Sequence, residues 1–144
     1  MPALETSIVT LRISGDSLIP AEITELLGAS PTEAETKGDE IIGRQTGHRR
    51  VAKGGMWRLC AADRAPEGMD AQVQELLSQL TSDLSIWQNI ATKHEIDLFC
   101  GLFMGDTNDG LTLSSDSLVA LGQRHIELQL DIYAPTVSES HART

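Results

Sequence analysis

Residues 126–133 read Ile126-Glu127-Leu128-Gln129-Leu130-Asp131-Ile132-Tyr133, a strict alternation of apolar and polar side chains. A period of two belongs to a β-strand. The stretch therefore predicts a closing strand with Ile126, Leu128, Leu130 and Ile132 buried on one face, and with Glu127, Gln129, Asp131 and Tyr133 turned to water or a partner. Just before it, Ser114 or Ser115 is placed to cap a helix carrying Leu118, Val119 and Leu121, which Gly122 stops. Upstream of that helix, Ile96 to Met104 is a nearly continuous apolar run between Glu95 and Gly105. It predicts a central strand covered on both faces, or a strand with a bulge near Gly101. Asp106 to Gly110 reads as a turn.

Two helical patterns precede that run. Met69, Val73, Leu76, Leu77 and Leu80 recur at helical spacing after a turn at Pro66-Glu67-Gly68, and Leu84, Trp87, Ile90 and Ala91 do so after the polar triplet Thr81-Ser82-Asp83, as a second helix or as a continuation bent at the triplet. Met56 to Cys60 alternates as a short strand, with Met56, Arg58 and Cys60 on one face and Trp57 and Leu59 on the other, Trp57 pointing inward. Pro20 opens a helix bearing Ile19, Ile23, Leu26 and Leu27, and Gly28 ends it. Ile8, Leu11 and Ile13 mark a first strand that finishes at Gly15-Asp16. From Ala29 to Gly55 the glycines and Pro31 break any period, leaving a long surface loop with one candidate strand at Glu40-Ile41-Ile42. This order predicts an α+β two-layer sandwich: a mostly antiparallel or mixed sheet of four to five strands with helices packed on it. Residues 1–135 form the single domain, and the apolar-poor stretch 136–144 is expected to be a disordered tail.

The composition agrees. The chain has 144 residues, 40% of them hydrophobic and 3% aromatic, with a formal charge of -10. That suffices for one core without disulfides or a structural metal, and it does not describe a disordered chain, a collagen or a coiled coil. No apolar run is long enough to span a bilayer and no signal peptide is visible, so a cytoplasmic protein without membrane association is expected. Cys60 and Cys100 read as free, buried thiols. The charge is uneven: seven basic residues face eight acidic ones through residue 60, and four face thirteen beyond it. Such a field disfavours direct nucleic-acid binding; it is compatible with a basic protein partner, or it simply keeps the protein soluble.

Motifs for catalysis are missing. There is no phosphate loop, dinucleotide fingerprint, nucleophile elbow or histidine pair, so no catalytic residue, metal ligand or cofactor is assigned. Asp106, Asn108 and Gly110 resemble a calcium loop only superficially, because Ser117 stands where an acid is needed. Asp16, Asp97 and Asp131 are carboxylates with no predicted pairing. Arg44, His48, Arg49, Arg50 and Lys53 concentrate positive charge in the glycine-flanked loop 43–55, which either binds a small anion or is simply a solvated loop. Asp106, Asp109, Asp116, Asp131 and Tyr133 are the candidate partner-binding residues. Gly15, Gly28, Pro31 and Trp57 have structural explanations, backbone for the first three and packing for the last.

Taken together, Ser14-Gly15-Asp16, Ile23 through Leu26-Leu27-Gly28, Pro31-Thr32, Lys37-Gly38, Trp57, Leu121-Gly122 and Leu130-Asp131-Ile132-Tyr133 resemble the DUF4279 family, a bacterial domain of unknown function. The resemblance covers residues 6–134. It implies a complete single domain and carries no catalytic residues onto these positions. The long basic segment from Gly43 to Gly54 departs from it.

The leading functional expectation is a non-enzymatic interaction protein, of immunity or regulatory type, that binds through an acidic surface. The alternative is a domain for a small anion or nucleotide, with or without catalysis, that uses loop 43–55. A third reading is self-association through the exposed edge of the last strand; the oligomeric state itself is left open.

Overall fold

The computed structural model describes residues 5–43, 46–64 and 68–135. Arg44, the Pro66-Glu67 part of the predicted turn and the predicted tail 136–144 lie outside them. Strand β1 (Thr6–Gly15) alternates, with the anticipated Leu11 and Ile13 inward but Ile8 on the opposite, half-exposed face. Ser7, Val9, Leu11 and Ile13 are buried, while the residues between them are half-exposed. It is the middle of a five-stranded sheet ordered β2 (Glu33–Glu35), β5 (Gly55–Cys60), β1, β6 (Glu95–Phe103), β7 (Glu127–Tyr133). β1 runs antiparallel to both β5 and β6, β2 runs antiparallel to β5, and β7 runs parallel to β6. A parallel neighbour needs a crossover, and helix α4 (Ser115–Gln123) supplies it. The α+β arrangement with helices on a mixed five-stranded sheet is as predicted.

The remaining helices, α1 (Pro20–Leu27), α2 (Met69–Ser78) and α3 (Leu84–Lys93), pack with α4 on the face bearing Leu11, Ile13, Trp57 and Leu98. α1 and α4 stop and start as the sequence dictates. Gly28 takes a left-handed conformation (φ 82°) and its N–H reaches Thr24 O at 2.8 Å, while Ser114 Oγ accepts from Ser117 N. Asp83 caps α3 by accepting from Ser85 N, which makes the polar triplet a true break between α2 and α3.

Both indoles are fully buried with their N–H groups satisfied. Trp57 donates to Thr24 Oγ1 at 3.1 Å and Trp87 to Thr81 O at 2.9 Å. Gln72, Ser7 and Ser117 are buried polar residues, and the first two bond each other: Ser7 Oγ donates to Gln72 Oε1 at 2.5 Å, and Gln72 Nε2 donates to Ser7 O at 2.9 Å and Ala62 O at 2.8 Å. The amide thereby stitches α2 to β1 and to the exit of β5.

Several expectations are corrected. The stretch 29–55 is more ordered than a surface loop. It contains β2 and a two-stranded hairpin, β3 (Glu40–Ile42) with β4 (Arg49–Val51), of which only β3 was anticipated. β6 has neither a bulge nor two covered faces; its register runs unbroken against both neighbours, with Phe99 and Phe103 half-exposed on the helix-free side. On β7, Leu128, Leu130 and Ile132 are exposed instead of buried, because the strand is the sheet edge, where the helix layer thins out; of the four predicted core residues only Ile126 is covered. Leu118 and Val119 of α4 are likewise exposed. Gly122 does not end α4. The helix closes at Arg124, and it is His125 that takes the left-handed turn (φ 58°), its N–H bonding Gly122 O. Cys60 is exposed, since it shares the helix-free face with Met56 and Arg58, whereas Cys100 is buried as expected.

Candidate functional site

Stacking all four helices on one side leaves the other side of the sheet without a layer, and the residues there are ordered by one another. Arg12 and Asp97 are direct cross-strand partners. Arg12 Nε donates to Asp97 Oδ1 at 2.7 Å and Nη2 to Oδ2 at 3.0 Å, and Nη2 also reaches Gln129 Oε1 at 3.3 Å. Gln129 Nε2 returns a bond to Asp97 Oδ2 at 3.3 Å. The guanidinium lies 4.5 Å from the centroid of the Phe99 ring, so it is held by charge, fork geometry and a π-face together. The Asp97 hydrogen bond raises the Arg12 pKa further, against the opposing effect of burial.

Toward the other end of β6 and β7, Phe103 stacks on its register partner Tyr133, the ring centroids 4.7 Å apart and the planes within 7°. Tyr133 OH donates to Asp131 Oδ2 at 2.7 Å, a bond that holds the proton on the phenol and raises its pKa. The predicted pair Asp131 and Tyr133 therefore sits at an exposed edge. The loop leaving β6 continues this end of the sheet: Met104 N donates to Tyr133 O at 3.1 Å, and Asp109 Oδ2 accepts from Gly105 N at 2.7 Å and Asp106 N at 3.2 Å. Asp106, Asp109, Asp131 and Tyr133 thus gather at one end of the sheet. Asp116 lies at the same end on the helix side, beside the groove between α2 and α4.

The described part of loop 43–55, residues 46–55, belongs to the opposite end. There a shallow cleft of about 830 Å³ is bounded by the β1 end at Ser14-Gly15-Asp16, by Glu35, Arg50 and Lys53, by Gly54-Gly55, and by the α3 terminus at Lys93-His94-Glu95. Gly15 permits this closure, because a Cβ there would collide with the His94 imidazole. A Cβ on Gly55 would stand 2.5 Å from Leu18 O, so the first residue of β5 also approaches the turn after β1 only as bare backbone. Of the predicted basic residues, Arg50 is paired with Glu35 at 2.6 Å and Arg49 with Glu40 at 2.9 Å; His48 is exposed and outside the cleft lining. Lys53 and Lys93 line the cleft without an ion pair among the described residues. His94 Nδ1 is buried without a hydrogen-bond partner, and burial with help from Lys93 lowers its pKa. Asp16, Glu35, Glu95 and the carbonyl end of α3 bring negative potential to the same cleft.

Among the described residues no cluster of three or more His, Cys, Asp or Glu could hold a metal ion, and no helix is long and apolar enough to cross a membrane. Trp57 and Gly28 have the structural roles assigned to them, in the core and at the α1 terminus; Pro31 is half-buried in the connection to β2. Sequence reasoning did not single out Arg12, Phe99, Phe103 or Gln129. The signal was parity: within the apolar run of β6, Phe99 and Phe103 fall on the strand face of Asp97, opposite to Leu98 and Leu102.

A family model described as a domain of unknown function, DUF4279, matches residues 5–135 of the chain. The chain belongs to the DUF4279 family. No curated protein and no solved structure matches it. The DUF4279 match takes in the seven strands and four helices of the described residues, so the open sheet face and the cleft both lie within the family's domain.

Proposed function

We propose that this domain is a non-enzymatic protein-interaction module, of immunity or regulatory type in a bacterial cytoplasm, that engages a basic partner through the helix-free face of its sheet and the acidic rim beside it. The observation that carries this reading is the locked array of Arg12, Asp97, Phe99, Gln129, Phe103, Tyr133 and Asp131 on that face. Arginine and aromatic side chains dominate the energetics of protein interfaces. Here their rotamers are fixed before any partner arrives, which lowers the ordering cost of association. Asp106, Asp109 and Asp131 add a field that steers a basic surface toward this end. Affinity capture of the tagged protein from its native lysate at low and high salt tests the reading. A near-stoichiometric basic protein that is lost at high salt, and lost again from Asp106→Asn with Asp131→Asn, is expected; capture indifferent to both changes opposes it.

A second reading rests on the cleft. Lys53 and Lys93 lack carboxylate partners among the described residues, and half-buried Gly54 lines the same cleft without a side chain, which suits a small anionic ligand or nucleotide. The three carboxylates and the α3 C-terminus oppose it. A rise in melting temperature with phosphate or a nucleotide, abolished by Lys53→Ala with Lys93→Ala, would favour the cleft over the sheet face.

A further inference from the structure

The two edges of the sheet differ in kind. β2, at one edge, is three residues long and carries Glu33 and Glu35, a short charged edge of the sort that resists pairing. β7, at the other, is seven residues long, has no lysine, proline or bulge, and exposes an apolar row: Leu128 at 36%, Leu130 at 47% and Ile132 at 57%. Leu118 of α4 is 52% exposed, on the flank of the helix opposite Ala120 and Arg124, which face the α2 groove.

The backbone of that edge is oriented outward at those same residues. Tyr133 O is used by Met104 N, the first residue past β6, and Phe103 is the register partner of Tyr133. The N–H and C=O of one strand residue point the same way and alternate along the strand. Glu127, Gln129, Asp131 and Tyr133 therefore turn their backbone toward β6, while Leu128, Leu130 and Ile132 turn theirs to the open edge.

We infer that β7 pairs antiparallel with β7 of a second copy of this chain, about a two-fold axis at Leu130. Its own charge pattern selects the partner and the register. In that register Leu130 faces its copy, Leu128 faces Ile132, Gln129 faces Asp131 and Glu127 faces Tyr133, so apolar meets apolar and no two carboxylates are opposed. Moving the axis to Gln129 sets Glu127 against Asp131; moving it to Asp131 sets that carboxylate against itself. The Leu130 axis is also the one that uses the whole strand, and it makes hydrogen-bonded pairs of the three outward-facing residues. The segment 136–144 has only Val137 and Ala142 as apolar residues, a poor cover for this row. The pairing is independent of the binding role proposed above; it joins two five-stranded sheets into one and brings the Asp131 and Tyr133 sites of both copies to its centre.

Light scattering on the full-length chain in size-exclusion chromatography tests the pairing at micromolar concentration. A mass near twice 15.6 kDa is expected, and Leu130→Lys, whose side chain sits on the exposed row, should halve it while leaving the circular dichroism spectrum unchanged. The register is read in a Cys60→Ser background. Leu130→Cys should form an intermolecular disulfide on oxidation, since its copy stands directly opposite, whereas Leu128→Cys should not. A monomeric wild-type chain, a dimer that survives Leu130→Lys, or equal cross-linking at both cysteines would overturn the inference. So would a wild-type monomer that dimerises only after removal of residues 136–144, which would make the chain's own end the occupant.

Discussion

Arg12 and Asp97 meet across the β1–β6 pair through two parallel hydrogen bonds of 2.7 and 3.0 Å, on the side of the sheet that no helix covers. Their side chains retain 28% and 18% exposure, so solvent screens part of the attraction. A double-mutant cycle with Arg12→Met and Asp97→Asn should give a coupling of about 0.5–1.5 kcal/mol in urea unfolding, above that of an ordinary surface pair because the contact is bidentate. A coupling near zero would mean that the array on this face is not held together by this pair.

The buried Gln72 amide should matter more. Replacing it with leucine keeps the volume but removes the donor to Ala62 O and the acceptor of Ser7 Oγ, and leaves Ser7 O only the 3.4 Å bond from Arg64 N, with an expected loss of roughly 2–3 kcal/mol in chemical denaturation. Ser7→Ala removes one hydroxyl from the same network and should cost less.

The two thiols should separate cleanly. Cys60 is exposed, whereas burial, with a smaller contribution from Asp97, pushes Cys100 up to about 12. At neutral pH an aromatic disulfide reagent should modify one cysteine quickly and the second only on unfolding, with Cys60→Ser abolishing the fast phase. Two fast equivalents would place Cys100 outside the core.

His94 gives the stability curve a sign. Its folded-state pKa lies below the ordinary histidine value, chiefly through burial, so the unfolded chain binds the proton more readily. Stability is therefore full above the ordinary histidine pKa and declines as pH falls through it, until the folded protein is protonated as well. Melting temperatures followed from pH 8 to 5 should fall less for His94→Asn than for the wild type. Equal slopes would show that the imidazole over Gly15 is not the group responsible.

What the sequence made legible was periodic and local. Leu11 and Ile13 of β1 and the inward Trp57 follow from alternation, though Ile8 does not, and Ser114, Gly28 and the triplet ending in Asp83 mark helix ends by their own chemistry. What it hid depends on partners far along the chain. The charged tripeptides Glu33–Glu35 and Arg49–Val51 become strands only because β5 and β3 lie beside them. The alternation of β7 shows that one face is apolar, but the position of β7 at the edge, beyond the helix layer, decides that this face stays exposed. Cys60 was recoverable: once Trp57 points inward, parity sends Cys60 outward. The basic loop and the acidic residues were visible as clusters, yet nothing local places them at opposite ends of the sheet, nor joins Arg49 and Arg50 to Glu40 and Glu35.

The most direct measurement of the binding role is photo-cross-linking in the protein's native cells, with a benzophenone side chain at Phe103 on the open sheet face or at Gln88 on exposed α3. The account predicts a discrete adduct with a basic protein from position 103, weakened by added salt in lysate, and none from position 88. An adduct from 88 with none from 103 would contradict it.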